Sequence, residues 1–163
     1  MSENQSSPCR IKWENFSSFR VNAMRLTKFT DNALRVLIYT AANSDRLTNI
    51  SEISEKCNIP HNHLTKVVHA MSTNGFLETM RGKGGGVRMR RPAEDISVSN
   101  VVRITESDMK IIECFVPLCP LAKKCKLRSV LNEARKAFLD ALGNYTIADL
   151  IENEGELRDA GWL

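Results

Sequence analysis

Between residues 29 and 43, apolar side chains fall at Ala33, Leu34, Leu37, Ile38 and Ala41, the spacing of one helix face, so a first helix is predicted there. A second, short helix is expected at about 51–57, opened by the polar cap Asn49-Ile50-Ser51-Glu52 and burying Ile50 and Ile53. Asn58-Ile59-Pro60 reads as a tight turn. A third helix should run from His61 to Asn74, with Leu64, Val67, Val68 and Met71 inward and Gly75 as its stop. Helix, three-residue turn and helix in this order make a helix-turn-helix at about 51–74.

Past Gly75 the period changes. Phe76–Met80 and Val87–Arg90 read as two short strands around Gly82-Lys83-Gly84-Gly85-Gly86, a wing at about 76–91. Residues 96–112 are expected to be helical, with Val98, Val101, Val102 and Ile104 packing inward. After the cysteine-bearing segment 114–125, a long helix at about 124–142 places Leu127, Leu131, Ala134, Phe138 and Ala141 on a seam of about two heptads. The seam suits a dimer helix, although the same stripe could pack on its own domain. Thr146–Ile151 predicts a short terminal helix. The fold class is therefore mainly α with a small β-hairpin wing. A winged helix-turn-helix domain (24–112) precedes a segment (113–163) with the cysteine loop, a dimerisation helix and an acidic tail. Residues 1–23 are polar, with serines at 2, 6, 7, 17 and 18 and no clear period, and read as a loosely ordered extension.

The 163 residues suffice for one compact domain plus an appended element. An apolar share of 42% and a charged share of 26% are ordinary for a globular chain with a real core. No stretch approaches the roughly 18 apolar residues of a membrane span, and the first 23 residues hold no apolar run of signal-peptide length, so a cytoplasmic protein is expected. In that reducing compartment five cysteines read as thiols or metal ligands rather than disulfides.

The formal charge is only +4, but it is unevenly spread. Between His61 and Arg91, Lys66, Arg81, Lys83, Arg88, Arg90 and Arg91 face Glu78 alone, whereas carboxylates outnumber cations from Asn132 onward. A basic middle and an acidic end suggest that the middle meets a polyanion, although a solvated surface would look similar.

The outward face of the third helix offers His61, Asn62, Thr65, Lys66 and His69, side chains able to reach base edges or phosphates from the major groove of double-stranded DNA. His61 and His63 fall on different faces, which argues against metal binding there. In the wing, Gly84 and Gly85 permit close approach of backbone to a ligand, and Arg81, Lys83 and Arg88 flank them. Such a tip suits a sugar–phosphate strand or the minor groove; a merely flexible turn would also carry glycines. The glycine order matches no nucleotide-binding loop, and no nucleophile–base pair or paired carboxylates indicate an enzyme.

Cys114, Cys119 and Cys125 are spaced C-x4-C-x5-C. Positions five and six apart point to different sides of a helix, and Pro117 and Pro120 break one, so the segment is expected to be a loop wrapped around something. Converging cytosolic thiolates fit a soft metal centre, either zinc or an iron–sulfur cluster. Lys123, Lys124, Lys126 and Arg128 surround the loop and would stabilise thiolates, which also suits reactive thiols. No histidine follows His69, which weakens a closed zinc site with three cysteines and one histidine. Cys57 reads as a core thiol, and Cys9 belongs to the extension.

The stretches MRLTKFTDNALRVLIY (24–39), NHLTK (62–66), RGKGGGVRM (81–89), the three-cysteine loop and NYTIADL (144–150) together resemble a bacterial family of iron–sulfur winged-helix regulators, and within it the nitric-oxide-sensitive repressors. The related iron–sulfur assembly regulators space their first two cysteines one residue wider and add a nearby histidine, both absent here. The resemblance covers about residues 24–152, and the extension departs from it. It implies a homodimer on operator DNA, with one cluster per subunit, 2Fe–2S or 4Fe–4S, held by Cys114, Cys119 and Cys125. The fourth ligand falls on Asp31 of the partner subunit; a carboxylate in the first turn of a helix is favourable for its own sake as well. Repression with the cluster intact and release on its nitrosylation by nitric oxide are implied too. Rival readings are a regulator of iron or cluster supply, a zinc or thiol-oxidation repressor and, from another class, a small electron carrier or cluster-delivery protein.

Overall fold

The computed structural model describes residues 25–107, 109–112, 118–121, 124–159 and 161–162. The expected extension and Cys114 lie outside them. Three helices come first: α1 (Lys28–Ala42), α2 (Ile50–Lys56) and α3 (His61–Thr73). An antiparallel hairpin follows, β1 (Leu77–Met80) and β2 (Gly86–Met89), with Leu77 opposite Met89 and Met80 opposite Gly86. After a 3-10 turn at Ala93–Asp95 come α4 (Val98–Thr105), the long α5 (Lys126–Gly143) and the short α6 (Glu154–Asp159). The winged helix-turn-helix is thus present, with α1 to α3 within a residue or two of their expected bounds. Among the described residues no helix is long and apolar enough to cross a membrane.

The core gathers Ala33, Val36 and Leu37 of α1, Leu64, Val67 and Met71 of α3, and Val101 and Val102 of α4, all at or near zero exposure. Leu139 of α5 and Ile147 join it, which ties the second half of the chain to the winged unit. Cys57 is buried among the core side chains, as expected, and burial pushes its thiol up to about 12. Asn58 turns the chain between α2 and α3 at φ 52°, a conformation asparagine tolerates better than most residues.

α2 has seven residues, far fewer than the about 12 a free helix needs in water, so its neighbours must hold it. The Asn49 side chain accepts from Ser51 N at 2.8 Å, and Glu52 reaches back to the Asn49 amide, closing a capping box. Glu52 also receives the Tyr39 hydroxyl at 2.6 Å and the Arg46 guanidinium. The Arg46 hydrogen bond, followed by those from Tyr39 and the Asn49 amide, brings the Glu52 carboxyl down to about 2 from a usual 4.5. A depressed folded pKa gives stability that is complete above the unfolded value and lost on acidification. Denaturant titrations should therefore show that stability falling from about pH 4.5 towards pH 2, and Glu52→Gln should flatten this limb.

Three expectations need correction. The helix expected at 96–112 ends at Thr105, because Glu106 leaves helical geometry and its Oε1 accepts from Thr27 N (2.7 Å) and Thr30 Oγ1 (2.6 Å) at the start of α1. Thr105 rather than Ile104 turns inward, leaving Ile104 exposed. Residues 146–151 form a turn and not a helix. The Val98 and Ile147 amides donate to Tyr145 O and Ile96 O, and Thr146 and Asp149 close the turn through their side chains. The apolar stripe expected on α5 is also divided between inside and outside. Leu139 is 2% exposed and Phe138 packs against the core, whereas the outward apolar stripe is Leu127, Val130, Ala134, Ala137 and Ala141.

Candidate nucleic-acid interface and cysteine loop

α3 is amphipathic in a way that decides its orientation. Its apolar face enters the core, which leaves His61, Asn62, Thr65, Lys66 and His69 all exposed. Pro60 offers no side-chain cap, and Asn62 Oδ1 accepts from the His63 amide at 2.9 Å in its place. That bond leaves the Asn62 amide nitrogen as a donor. The first turn carries no carboxylate, so the positive end of the helix faces outward unopposed.

The wing is pinned to the loop between α1 and α2. Thr48 exchanges both backbone hydrogen bonds with Val87, at 2.9 and 2.8 Å, and adds its hydroxyl to Val87 O. This contact was not foreseen and gives the glycines a second purpose. A Cβ on Gly86 would lie 2.7 Å from Thr48 O, and one on Gly85 would run into Met80 O. Gly85 and Gly86 are therefore required by the hairpin's own backbone, whatever they approach outside it. Gly84, at φ 84°, has open space around it and serves the turn.

Arg81 and Lys83 are exposed and enter no ion pair among the described residues. Arg88 differs from them: its guanidinium holds Glu78 across the hairpin at 2.8 Å, a pairing that occupies part of its charge. Between α3 and the wing runs an open cleft of about 540 Å³, lined among others by His61, Thr65, His69, Thr79 and Arg81. Nine of the ten candidate contact residues are thus exposed and Gly85 is half-buried, and His61, Thr65, His69, Arg81 and Gly85 line the same cleft.

Cys119 and Cys125 are free thiols, each half-buried. Cys125 is the residue on which α5 begins, and its side chain caps nothing. Free, soft thiol donors are what an iron–sulfur cluster would require, so the described part of the donor set fits one. Among the described residues, no three histidine, cysteine, aspartate or glutamate side chains converge as a metal site. Asp31 sits in the first turn of α1, where Lys28 Nζ contacts it at 2.6 Å and Arg35 Nε at 2.9 Å. The Lys28 hydrogen bond, reinforced by Arg35, holds its carboxyl below the usual range. Asp31 is partly exposed and bound within its own chain. A role on a partner's metal would mean loosening one of these cations.

The family model for Rrf2, described as an iron-dependent transcriptional regulator, matches residues 26–153. The chain belongs to the Rrf2 family. Rrf2-type relatives named HTH-type transcriptional regulator NsrR include that of Bacillus subtilis (strain 168), 45% identical over 138 residues, which are 82% of this chain and 94% of that protein. The NsrR of Bacillus licheniformis is 42% identical over 139 residues, 83% of this chain and 97% of the relative. Among solved structures, T. potens IscR superposes with a TM-score of 0.67 over 81% of this chain and 89% of its own, at 17% identity. Oxidised Staphylococcus aureus CymR gives 0.63 over 79% and 97%, at 25% identity. This is accordingly an NsrR-type Rrf2 regulator that binds DNA, not an enzyme.

Proposed function

We propose that this Rrf2 protein is a cytoplasmic, homodimeric operator-binding repressor that senses nitric oxide through an iron–sulfur cluster, held in each subunit by Cys114, Cys119 and Cys125, with Asp31 of the partner subunit as fourth ligand. The observation that carries the reading is the position of Cys125. It is the last residue before α5, the helix whose Leu127-to-Ala141 stripe faces outward with no partner among the described residues. A thiolate there governs where the dimer helix begins.

Two chains paired along α5 would present two copies of α3 about one DNA turn apart, on a near-palindromic operator. His61, Asn62, Thr65, Lys66 and His69 would meet the major groove, while Arg81, Lys83, Arg88 and the backbone of Gly84 and Gly85 would follow the minor groove or its phosphates. One sugar–phosphate strand separates those grooves and would cross the cleft between α3 and the wing. When bound, the cluster supplies iron that nitric oxide can attack. The protein side of the response runs through Glu106. It ties the end of α4, which leads into the cysteine loop, to the start of α1, where Asp31 stands. A shift of a few kcal/mol between two dimer geometries is enough to empty an operator.

Anaerobic purification followed by iron and sulfide analysis, then titration with nitric oxide against operator binding, tests this reading. A colourless zinc protein would defeat it, and a cluster indifferent to nitric oxide but lost on iron limitation would favour sensing of iron supply. Within the DNA surface, Lys83→Ala should weaken specific and random DNA alike and lower the salt slope by about one unit. Asn62→Ser retains an oxygen for the His63 amide and should mainly relax sequence choice. Equal loss on both kinds of DNA for the Asn62 variant would refute that division of labour.

A further inference from the structure

Residues 154–159 and 161–162 lie beside the end of α1 and of α2. α6 ends at a glycine-stabilised turn: Gly161, at φ 69°, donates to Arg158 O at 2.8 Å, and the Trp162 amide donates to Leu157 O at 2.8 Å. This turn brings Gly161 O to Lys56 Nζ at 2.6 Å and Trp162 O to Asn43 Nδ2 at 3.2 Å. The indole stands edge-on to the Tyr39 ring, with centroids 5.9 Å apart and planes at 74°. One short segment therefore grips the end of α1 through Tyr39 and Asn43, and the last turn of α2 through Lys56.

The grip matters because α2 is short and its anchors are few: the capping box and Glu52 at its start, Ile50 and Ile53 against the core, and the Ser54 hydroxyl on Ile59 O. Ile53 is the only residue within its span that is fully buried, and the helix is too short to persist alone. Its first turn hangs on Glu52, which is oriented by the hydroxyl of the same Tyr39 that Trp162 covers. Its last turn meets Gly161. Both ends of the first helix of the helix-turn-helix are thus linked to residues 161–162.

We propose that Gly161 and Trp162, carried at the end of α6, act as a strap that sets the position of α2, with Trp162 as its positioning residue. Operator recognition then depends on a side chain far from any DNA contact. This rests on the DNA-binding reading above only for its effect on the operator; the effect on α2 stands without it. Hydrogen–deuterium exchange on the full chain in its purified state is the direct test, comparing the parent with Trp162→Ala, Trp162→Phe and Lys56→Gln. In Trp162→Ala, amides of α2 should exchange about tenfold faster, while those of α3 and the hairpin stay as protected as before. Operator affinity should fall about tenfold with affinity for random DNA nearly unchanged. Trp162→Phe retains an edge-to-ring contact and should restore most of both. Lys56→Gln, which leaves the indole in place, should speed exchange in the last turn of α2 by about threefold, and it carries the test if Trp162→Ala fails to fold. Unaltered α2 exchange, or loosening spread evenly over all helices, would overturn the strap. Loosened α2 with undiminished operator affinity would overturn its role in recognition. A parent protein that binds no operator would instead remove the functional reading and leave the exchange result standing.

Discussion

Leu127→Glu with Val130→Glu should convert the protein to monomers and lower operator affinity by more than about 100-fold. These two side chains are 55% and 48% exposed in the single chain, so their replacement leaves the protomer's core intact. In a dimer built on α5 they would sit where two helices meet, and a carboxylate there would lose its water without gaining a partner. Two linked half-site contacts give a combined affinity about 10²- to 10⁴-fold above either alone, which sets the expected loss. Sedimentation equilibrium measures the first effect and operator titration the second. Asn132→Glu, an exposed polar position on the same helix, is the control and should leave the dimer whole. A double variant that remains dimeric would move the interface off this stripe.

The second large effect is expected at the cysteine loop. Cys119→Ser should strip the anaerobically purified protein of its colour and iron, and operator binding should no longer respond to nitric oxide. Serine has nearly the volume of cysteine, so a half-buried position tolerates it sterically. What it lacks is a soft, acidic sulfur: an alkoxide is not available near neutral pH, whereas a thiolate is. The melting temperature of the winged unit should hardly change, because Cys119 belongs to no core cluster. A coloured variant that still released its operator in the gas would sink the assignment of this loop.

The helix-turn-helix was legible because local and tertiary signals agree there. Asn49 and Glu52 form a capping box that can be read from their spacing, and Leu64, Val67, Val68 and Met71 are one uninterrupted face. The apolar face of α5 was only partly legible because its alanines satisfy two registers equally. Leu127, Ala134 and Ala141 belong to both, and only the burial of Leu139 and Phe138 reveals which side the protomer keeps. The early end of α4 had no local signal, since Glu106 is a good helix former; it is drawn away by amide and hydroxyl donors at the other end of the domain. The strap was illegible for a similar reason. Acidic, short and without period, residues 154–162 gave no sign that a single tryptophan would seat on Tyr39.

The wing divides its duties among neighbours in a way that bears on how such regulators diversify. Thr48, Gly85 and Gly86 hold the hairpin's outline, while Arg81 and Lys83 have no packing obligation. On the DNA-binding surface proposed above, exchanges at the two cationic positions would alter the attraction for a duplex without deforming the scaffold that presents them. Binding strength could then be tuned by single exchanges at those two positions, each costing the architecture almost nothing.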